Sequence, residues 1–129
     1  MAKILSVEDN PELQEFIALA LRSKGHEVHQ AMDGQKGYEM ALALKPDLIL
    51  LDMMMPQLNG MQVIALAKAN PELKNIPIVV MTAFYSDVEF LEQTMREAGA
   101  VEYLRKPLKI DDLISCVRSV LAKRPPSGS

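Results

Sequence analysis

Five side chains that carry charge or donate a proton stand just after short apolar runs of the sequence. Glu8 and Asp9 follow the first run, and Asp52 follows a run that is apolar at every position. Thr82 follows a later run, and Lys106 stands two residues beyond the last one. A single aspartate after a strand is usually a turn former or a helix cap. The set becomes informative when the fold brings its members to one place.

Clustering three carboxylates has an electrostatic cost. Two carboxylates about 6 Å apart repel each other by about 3 kcal/mol at an effective dielectric near 20. A cation offsets that repulsion, and oxygen ligands with retained water suit Mg²⁺, with Mn²⁺ as a substitute. The charges of Glu8, Asp9, Asp52, Lys106 and one divalent ion sum to zero.

A neutral site of this composition is able to accept a phosphoryl group. Asp52 would be the nucleophile, since carboxylates of this kind form aspartyl phosphates. Lys106 and the metal ion would neutralise charge on the phosphoryl oxygens. Thr82 would donate a hydrogen bond to one of those oxygens.

The elements that must position these residues alternate along the chain. Apolar runs predict strands near 4–7, 27–31, 48–51, 76–81 and 101–104, and three- and four-residue spacing predicts helices near 11–24, 34–44, 61–68, 88–98 and 111–121. Strict alternation predicts an α/β fold with an open, doubly wound parallel sheet and right-handed crossovers. Ligands bind such sheets beyond the carboxyl ends of the strands, which is where the five side chains stand.

Local signals mark several element ends. Asn10 is a predicted N-cap, with Pro11 in the first helical turn where proline fits. Asn59 and Gly60 indicate a turn before the third helix. Asp111 or Asp112 is predicted to start the fifth helix.

Composition narrows the class of protein. The length of 129 residues fits one domain, and a net charge of −3 argues against a basic nucleic-acid-binding face. A single cysteine excludes an internal disulfide, and no apolar run is long enough for a membrane span. We expect a cytoplasmic protein with no membrane or direct nucleic-acid contact. Its domain is expected to span 1–122, with 123–129 as a flexible tail or linker stub.

The chain resembles the receiver domain of two-component response regulators over residues 3–121. Five segments carry the resemblance in order: V-E-D-N at 7–10, P-D-L-I-L-L-D at 46–52, M-P-Q-L-N-G at 55–60, V-V-M-T-A at 79–83 and G-A-V-E-Y-L-R-K-P at 99–107. The acidic pair is Glu-Asp where Asp-Asp is frequent in the family. The resemblance implies a flavodoxin-like fold with five helices and five parallel strands in the order 2-1-3-4-5.

The resemblance also implies roles for individual residues. Asp52 would accept phosphate from a phosphohistidine of a sensor histidine kinase or a histidine phosphotransfer protein. The Mg²⁺ ligands would be Glu8, Asp9, Asp52 and the backbone carbonyl of Met54. Thr82 and Lys106 would contact the phosphoryl group, and the Lys106–Pro107 peptide would be cis.

The family further implies a switch. Tyr103 would change rotamer together with Thr82, and the fourth helix, fifth strand and fifth helix would form the surface for a downstream protein or output domain. Such a protein assists its own phosphorylation and dephosphorylation but turns over no separate substrate. We expect the bulky Met54 and Phe84 to flank the path of attacking water and slow hydrolysis, while the small Ala83 leaves the phosphoryl group accessible.

Three other functions compete with this one. A haloacid-dehalogenase-like phosphohydrolase needs a second aspartate two residues after the nucleophile, where this chain has Met54. An interaction module that no longer takes phosphate usually loses the acidic pair, the aspartate or the lysine. A flavin-binding relative needs a phosphate-cradling loop after the first strand, where Glu8 and Asp9 would repel phosphate without a metal.

Overall fold

The computed structural model describes residues 2–55, 58–83 and 88–123, with the backbone alone described for 88–92. The strands are β1 (Lys3–Val7), β2 (Glu27–Ala31), β3 (Leu48–Asp52), β4 (Ile78–Thr82) and β5 (Glu102–Arg105). The helices are α1 (Pro11–Arg22), α2 (Gly34–Leu44), α3 (Gly60–Ala69), α4 (Val88–Ala98) and α5 (Ile110–Ala122). All strand pairs are parallel, and their order β2-β1-β3-β4-β5 confirms the predicted fold.

Two apolar layers cover the two faces of the sheet. One contains Leu51 and Val80 with residues of α2, α3 and α4, and the other contains Leu50 and Met81 with residues of α1 and α5. Every residue of β3 and β4 is buried, which explains why their sequences are apolar without alternation. Since side chains alternate along a strand, Asp52 at the end of β3 shares the face of Leu50.

Backbone hydrogen bonds continue the ladder past the ends of β1 and β5. The Glu8 amide donates to the Ala31 carbonyl over 3.0 Å, and the Lys106 amide donates to the Thr82 carbonyl over 2.8 Å. The residues that follow β1 and β5 are thereby held beside the end of the sheet.

The helix starts confirm one local prediction and correct two. The Asn10 side chain accepts hydrogen bonds from the Glu12 and Leu13 amides, as an N-cap does. Asn59, predicted to lie in a turn, instead caps α3. The side chains of Asn59 and Gln62 each accept a hydrogen bond from the other's backbone amide, which forms a capping box.

The fifth helix begins one residue earlier than the aspartates predicted. Its first residue is Ile110 and its N-cap is Lys109, whose side chain makes no capping hydrogen bond. Asp111 and Asp112 lie within the first turn, where negative charge stabilises the amino end of a helix. None of the helices in the described part of the chain is long and apolar enough to span a membrane.

Close packing at the start of α2 gives a testable prediction. A Cβ atom added at Gly34 would overlap the backbone carbonyl oxygen of Leu58, in the segment that leads into α3. We expect Gly34→Ala to lower the free energy of unfolding by about 2 kcal/mol, measured by chemical denaturation. Gln35→Ala, at the next and exposed position, serves as the control. Equal stability of the two variants would contradict this packing.

Candidate functional site

Three carboxylates converge at the carboxyl end of the sheet. Glu8 and Asp9 follow β1, and Asp52 ends β3, the strand next to β1 in the sheet. One carboxylate oxygen from each residue lies within 4.8 Å of the other two. Glu8 and Asp52 are buried, whereas Asp9 is exposed. The cluster thus consists of two buried carboxylates and one that is exposed to solvent.

Lys106, which directly follows β5, contacts two of these carboxylates. Its Nζ atom lies 2.7 Å from Glu8 Oε1 and 3.0 Å from Asp52 Oδ1. The side chain of Lys106 is 22% exposed, against 1% for Glu8 and 3% for Asp52. The Lys106–Pro107 peptide bond that follows is cis, as the resemblance implied.

The electrostatics of the cluster reflect burial and proximity. Burial raises the pKa of the Glu8 carboxyl, against the opposing effect of hydrogen bonds from Lys106 and Asn10. Burial opposes the charge on Lys106, but hydrogen bonds and attraction from Glu8 and Asp52 outweigh it and raise the Lys106 pKa. Three carboxylates and one ammonium leave two negative charges when all are ionised. An all-oxygen donor set with that excess charge fits a divalent cation such as Mg²⁺.

Hydrogen bonds hold the turn that carries the acidic pair. The Asn10 amide donates to Glu8 Oε2 over 2.9 Å. The buried Gln14 side chain donates to the backbone carbonyl of Glu8 over 3.0 Å. Sequence reasoning missed Gln14. Its signal was a polar residue three and four positions before Ile17 and Ala18, on the face of α1 that is buried.

Met54 stands beside the phosphoacceptor candidate. Its backbone amide donates to Asp52 Oδ1 over 3.3 Å, and the residue is 63% exposed. Its neighbours Met53 and Met55 are half-buried and buried, and both contribute to the core. The structure therefore places the Met54 side chain at the solvent-facing rim of the acidic cluster.

The other candidate residues lie on β4 and β5. Thr82 ends β4 and is buried, and Ala83 after it is exposed. Tyr103 is half-buried and pairs in register with Val80. Because Thr82 follows Val80 by two residues, Thr82 and Tyr103 share one face of the sheet. Phe84 lies outside the residues that the structure describes.

Comparisons with known proteins agree on one family. The model of the response regulator receiver domain matches residues 4–118. Response regulator ArlR of Staphylococcus saprophyticus is 37% identical over 128 residues, which cover 97% of this chain and 54% of that protein. The chain thus spans about half the length of the first curated relatives that it matches.

Solved structures show the same architecture. Chemotaxis protein CheY4 of Vibrio cholerae superposes with a TM-score of 0.85 at 28% identity, covering 93% of this chain and 98% of that one. The signal receiver domain of a signal transduction histidine kinase from Syntrophus aciditrophicus gives a TM-score of 0.85 at 30% identity, covering 100% and 98%. With its fold, its acidic cluster and these matches, the chain belongs to the response regulator receiver domains of two-component systems, a family of phosphoacceptor signalling switches.

Proposed function

We propose that this chain is a phosphorylation-dependent switch in which Asp52 is the phosphoacceptor. The phosphodonor is a phosphohistidine of a sensor histidine kinase or of a histidine phosphotransfer protein. The observation that supports this most strongly is the bridging of Glu8 and Asp52 by Lys106 Nζ, at 2.7 and 3.0 Å. This arrangement sets the nucleophilic carboxylate of Asp52 beside the fixed positive charge of Lys106 in a largely buried site.

The transfer step exchanges one bond to phosphorus for another. An oxygen of the Asp52 carboxylate attacks the phosphorus of the phosphohistidine and forms a P–O bond. The P–N bond breaks, and the imidazole nitrogen keeps the electron pair and takes up a proton. Lys106 and Thr82 bind oxygens of the transferred group. The ammonium of Lys106 neutralises negative charge on these oxygens, and the hydroxyl of Thr82 donates a hydrogen bond to one of them.

The acidic cluster is proposed to hold Mg²⁺, with Mn²⁺ as a substitute. Glu8, Asp9, Asp52 and the backbone carbonyl of Met54 would be the protein ligands, and the chemistry of three clustered carboxylates fits such an ion. When bound, the ion supplies positive charge that neutralises the phosphoryl oxygens during transfer. Glu8 and Asp52 are already oriented by Lys106, so little rearrangement of these two side chains is needed.

Release of the phosphoryl group is proposed to be slow self-dephosphorylation, without turnover of a separate substrate. A phosphatase of the haloacid dehalogenase type needs an acid two residues after its nucleophile. The thioether of Met54 at that position has no proton to donate. This absence of a general acid favours the switch over the enzyme.

The readout is proposed to run through Thr82 and Tyr103 to a partner surface. Phosphorylation would draw Thr82 towards the new oxygens and let Tyr103 move inward, which biases the surface of α4, β5 and α5. That surface would bind a downstream protein or an output domain, and this chain itself would not bind nucleic acid. Residues 1–122 would form the receiver unit of this cytoplasmic signalling step, with 123–129 as a linker or tail.

The function is tested by incubating the protein with acetyl phosphate and Mg²⁺ and recording its intact mass. We expect a gain of one phosphoryl group that is lost when EDTA replaces Mg²⁺. An unchanged mass under conditions that phosphorylate a known receiver domain would contradict the proposal. Equal incorporation with EDTA would contradict the role of the metal.

The lifetime of the phosphorylated protein tests the role of Met54. Its side chain stands at the rim of the cluster and is expected to hinder attacking water. We predict that Met54→Asn shortens the half-life by about threefold or more, because the amide admits and orients water. Met32→Asn is the matched control, since Met32 follows β2 at the same end of the sheet and is 45% exposed. Equal half-lives for Met54→Asn and the wild type would contradict this role. For Phe84 the same effect on hydrolysis is proposed from the sequence alone, and Phe84→Ala is its test.

A further inference from the structure

We propose that Gln14 is a positioning residue that sets the Mg²⁺ affinity of the acidic cluster. The inference rests on the proposed function, since it concerns the same site. Gln14 lies on α1 and is not one of the three clustered carboxylates. It acts through the backbone of the strand end that carries Glu8 and Asp9.

The side-chain amide of Gln14 joins the ends of two strands. Its Nε2 atom donates to the carbonyl oxygens of Ser6 at 3.0 Å, Glu8 at 3.0 Å and Ala31 at 2.8 Å. Ser6 and Ala31 belong to β1 and β2, and Glu8 follows β1. The residue is only 2% exposed, so water does not compete for these hydrogen bonds.

The orientation of this amide is determined by its surroundings. Three carbonyl oxygens face one nitrogen, and exchanging the amide's oxygen and nitrogen would set oxygen against oxygen. The Gln14 Oε1 atom is buried and has no hydrogen-bond partner in the part of the chain that the structure describes. An unsatisfied buried acceptor is costly. The amide nitrogen therefore donates hydrogen bonds to the carbonyls at the strand ends, while the amide oxygen accepts none in the described part of the chain.

This arrangement fixes the peptide that joins Glu8 to Asp9. The Glu8 carbonyl is held by Gln14, while the Glu8 amide donates to Ala31 over 3.0 Å. Rotation of the Glu8–Asp9 peptide would break the bond to Gln14 and turn Asp9 relative to Asp52. Groups that orient metal ligands from behind affect metal affinity although they never touch the ion.

Gln14→Met tests this role, since it keeps the length of the side chain and removes both donors. Isothermal titration calorimetry with MgCl₂, in the absence of any phosphodonor, should show Mg²⁺ binding weakened by about tenfold. With acetyl phosphate, the half-saturating Mg²⁺ concentration should rise by the same factor, and the rate at saturating Mg²⁺ should approach that of the wild type. A purely structural role would lower the unfolding midpoint and leave the Mg²⁺ affinity unchanged.

Gln30→Met is the matched control. The Gln30 Nε2 atom donates to the backbone carbonyl of Gln14 over 3.1 Å, so the variant loses an amide bonded to the same residue. It leaves the three strand-end bonds in place, and we expect the Mg²⁺ affinity of the wild type. Equal affinities of Gln14→Met and Gln30→Met overturn the inference.

Two further outcomes have defined meanings. If Gln14→Met does not fold, Gln14→Asn replaces it. Its shorter amide cannot reach all three carbonyls, and an affinity equal to that of the wild type overturns the inference. A wild-type protein that binds Mg²⁺ but takes no phosphate contradicts the proposed function, while the calorimetric comparison still decides the role of Gln14. A wild-type protein that binds no Mg²⁺ overturns both.

Discussion

Asp52→Asn is expected to reduce phosphoryl incorporation from acetyl phosphate by at least about a thousandfold, because an amide cannot replace the attacking carboxylate. Neither Glu8 nor Asp9 is expected to substitute for it. Glu8 is buried against Lys106, and Asp9 is the exposed member of the cluster. Intact mass spectrometry after matched incubations measures the difference.

Asp33→Asn provides the control for that loss. Asp33 follows β2 at the same end of the sheet and caps α2 by accepting a hydrogen bond from the Lys36 amide over 2.7 Å. Asparagine caps helices about as well as aspartate, so the fold should be unaffected. Incorporation by Asp33→Asn should match the wild type. Substantial incorporation by Asp52→Asn would place the phosphoacceptor elsewhere.

Lys106→Met is expected to lower the free energy of unfolding of the metal-free protein by about 3 kcal/mol. The substitution removes the ammonium that contacts Glu8 and Asp52 and leaves two buried carboxylates without a cation. The value lies at the lower end of the range for broken buried ion pairs, since part of the Lys106 side chain reaches solvent. Urea denaturation in EDTA measures the effect, and added Mg²⁺ should reduce it.

The pH dependence of this loss has a definite sign. The pKa of Glu8 is already raised by burial, and removing Lys106 removes an interaction that lowers it. The folded variant therefore binds this proton more tightly than the unfolded chain, so its stability falls as pH rises through the interval between the ordinary and the raised pKa. The deficit should be smaller in acidic buffer than at neutral pH.

A second lysine variant separates this effect from a general loss of charge. Lys109→Met changes an exposed lysine that makes no capping hydrogen bond to α5. We expect little change in its stability at any pH. A similar deficit in Lys109→Met and Lys106→Met would show that the ion pairs of Lys106 contribute little.

Regular patterns in the sequence predicted the fold and the meeting of the charged residues. Alternating strands and helices predict parallel strands, and parallel strands end at the same edge, so Glu8, Asp52 and Lys106 were predicted to converge on that edge. The distances from Lys106 to Glu8 and Asp52, and the burial of Glu8, could not be predicted from the sequence. Both depend on how α1 and the segment after β5 pack against the edge of the sheet.

Features that depend on reciprocal side-chain bonds were harder to predict. Asn59 looked like a turn residue because its dipeptide with Gly60 is typical of turns, yet Gln62 completes a cap and starts a helix there. Gln14 has the sequence context of an ordinary polar helical residue. Its role depends on hydrogen bonds to three backbone carbonyls that are distant from it in the sequence or belong to another element. Such acceptors become visible only once the strands are placed side by side.

The phosphorylated residue is identified most directly by reductive trapping of the wild-type protein. The protein is treated with acetyl phosphate and Mg²⁺, reduced with borohydride, which converts an aspartyl phosphate to homoserine, and digested for peptide mass spectrometry. We expect homoserine at position 52 and at no other aspartate. Homoserine at another position, or an acid-labile phosphoryl group on a histidine with Asp52 unmodified, would contradict the assignment of Asp52 as the phosphoacceptor.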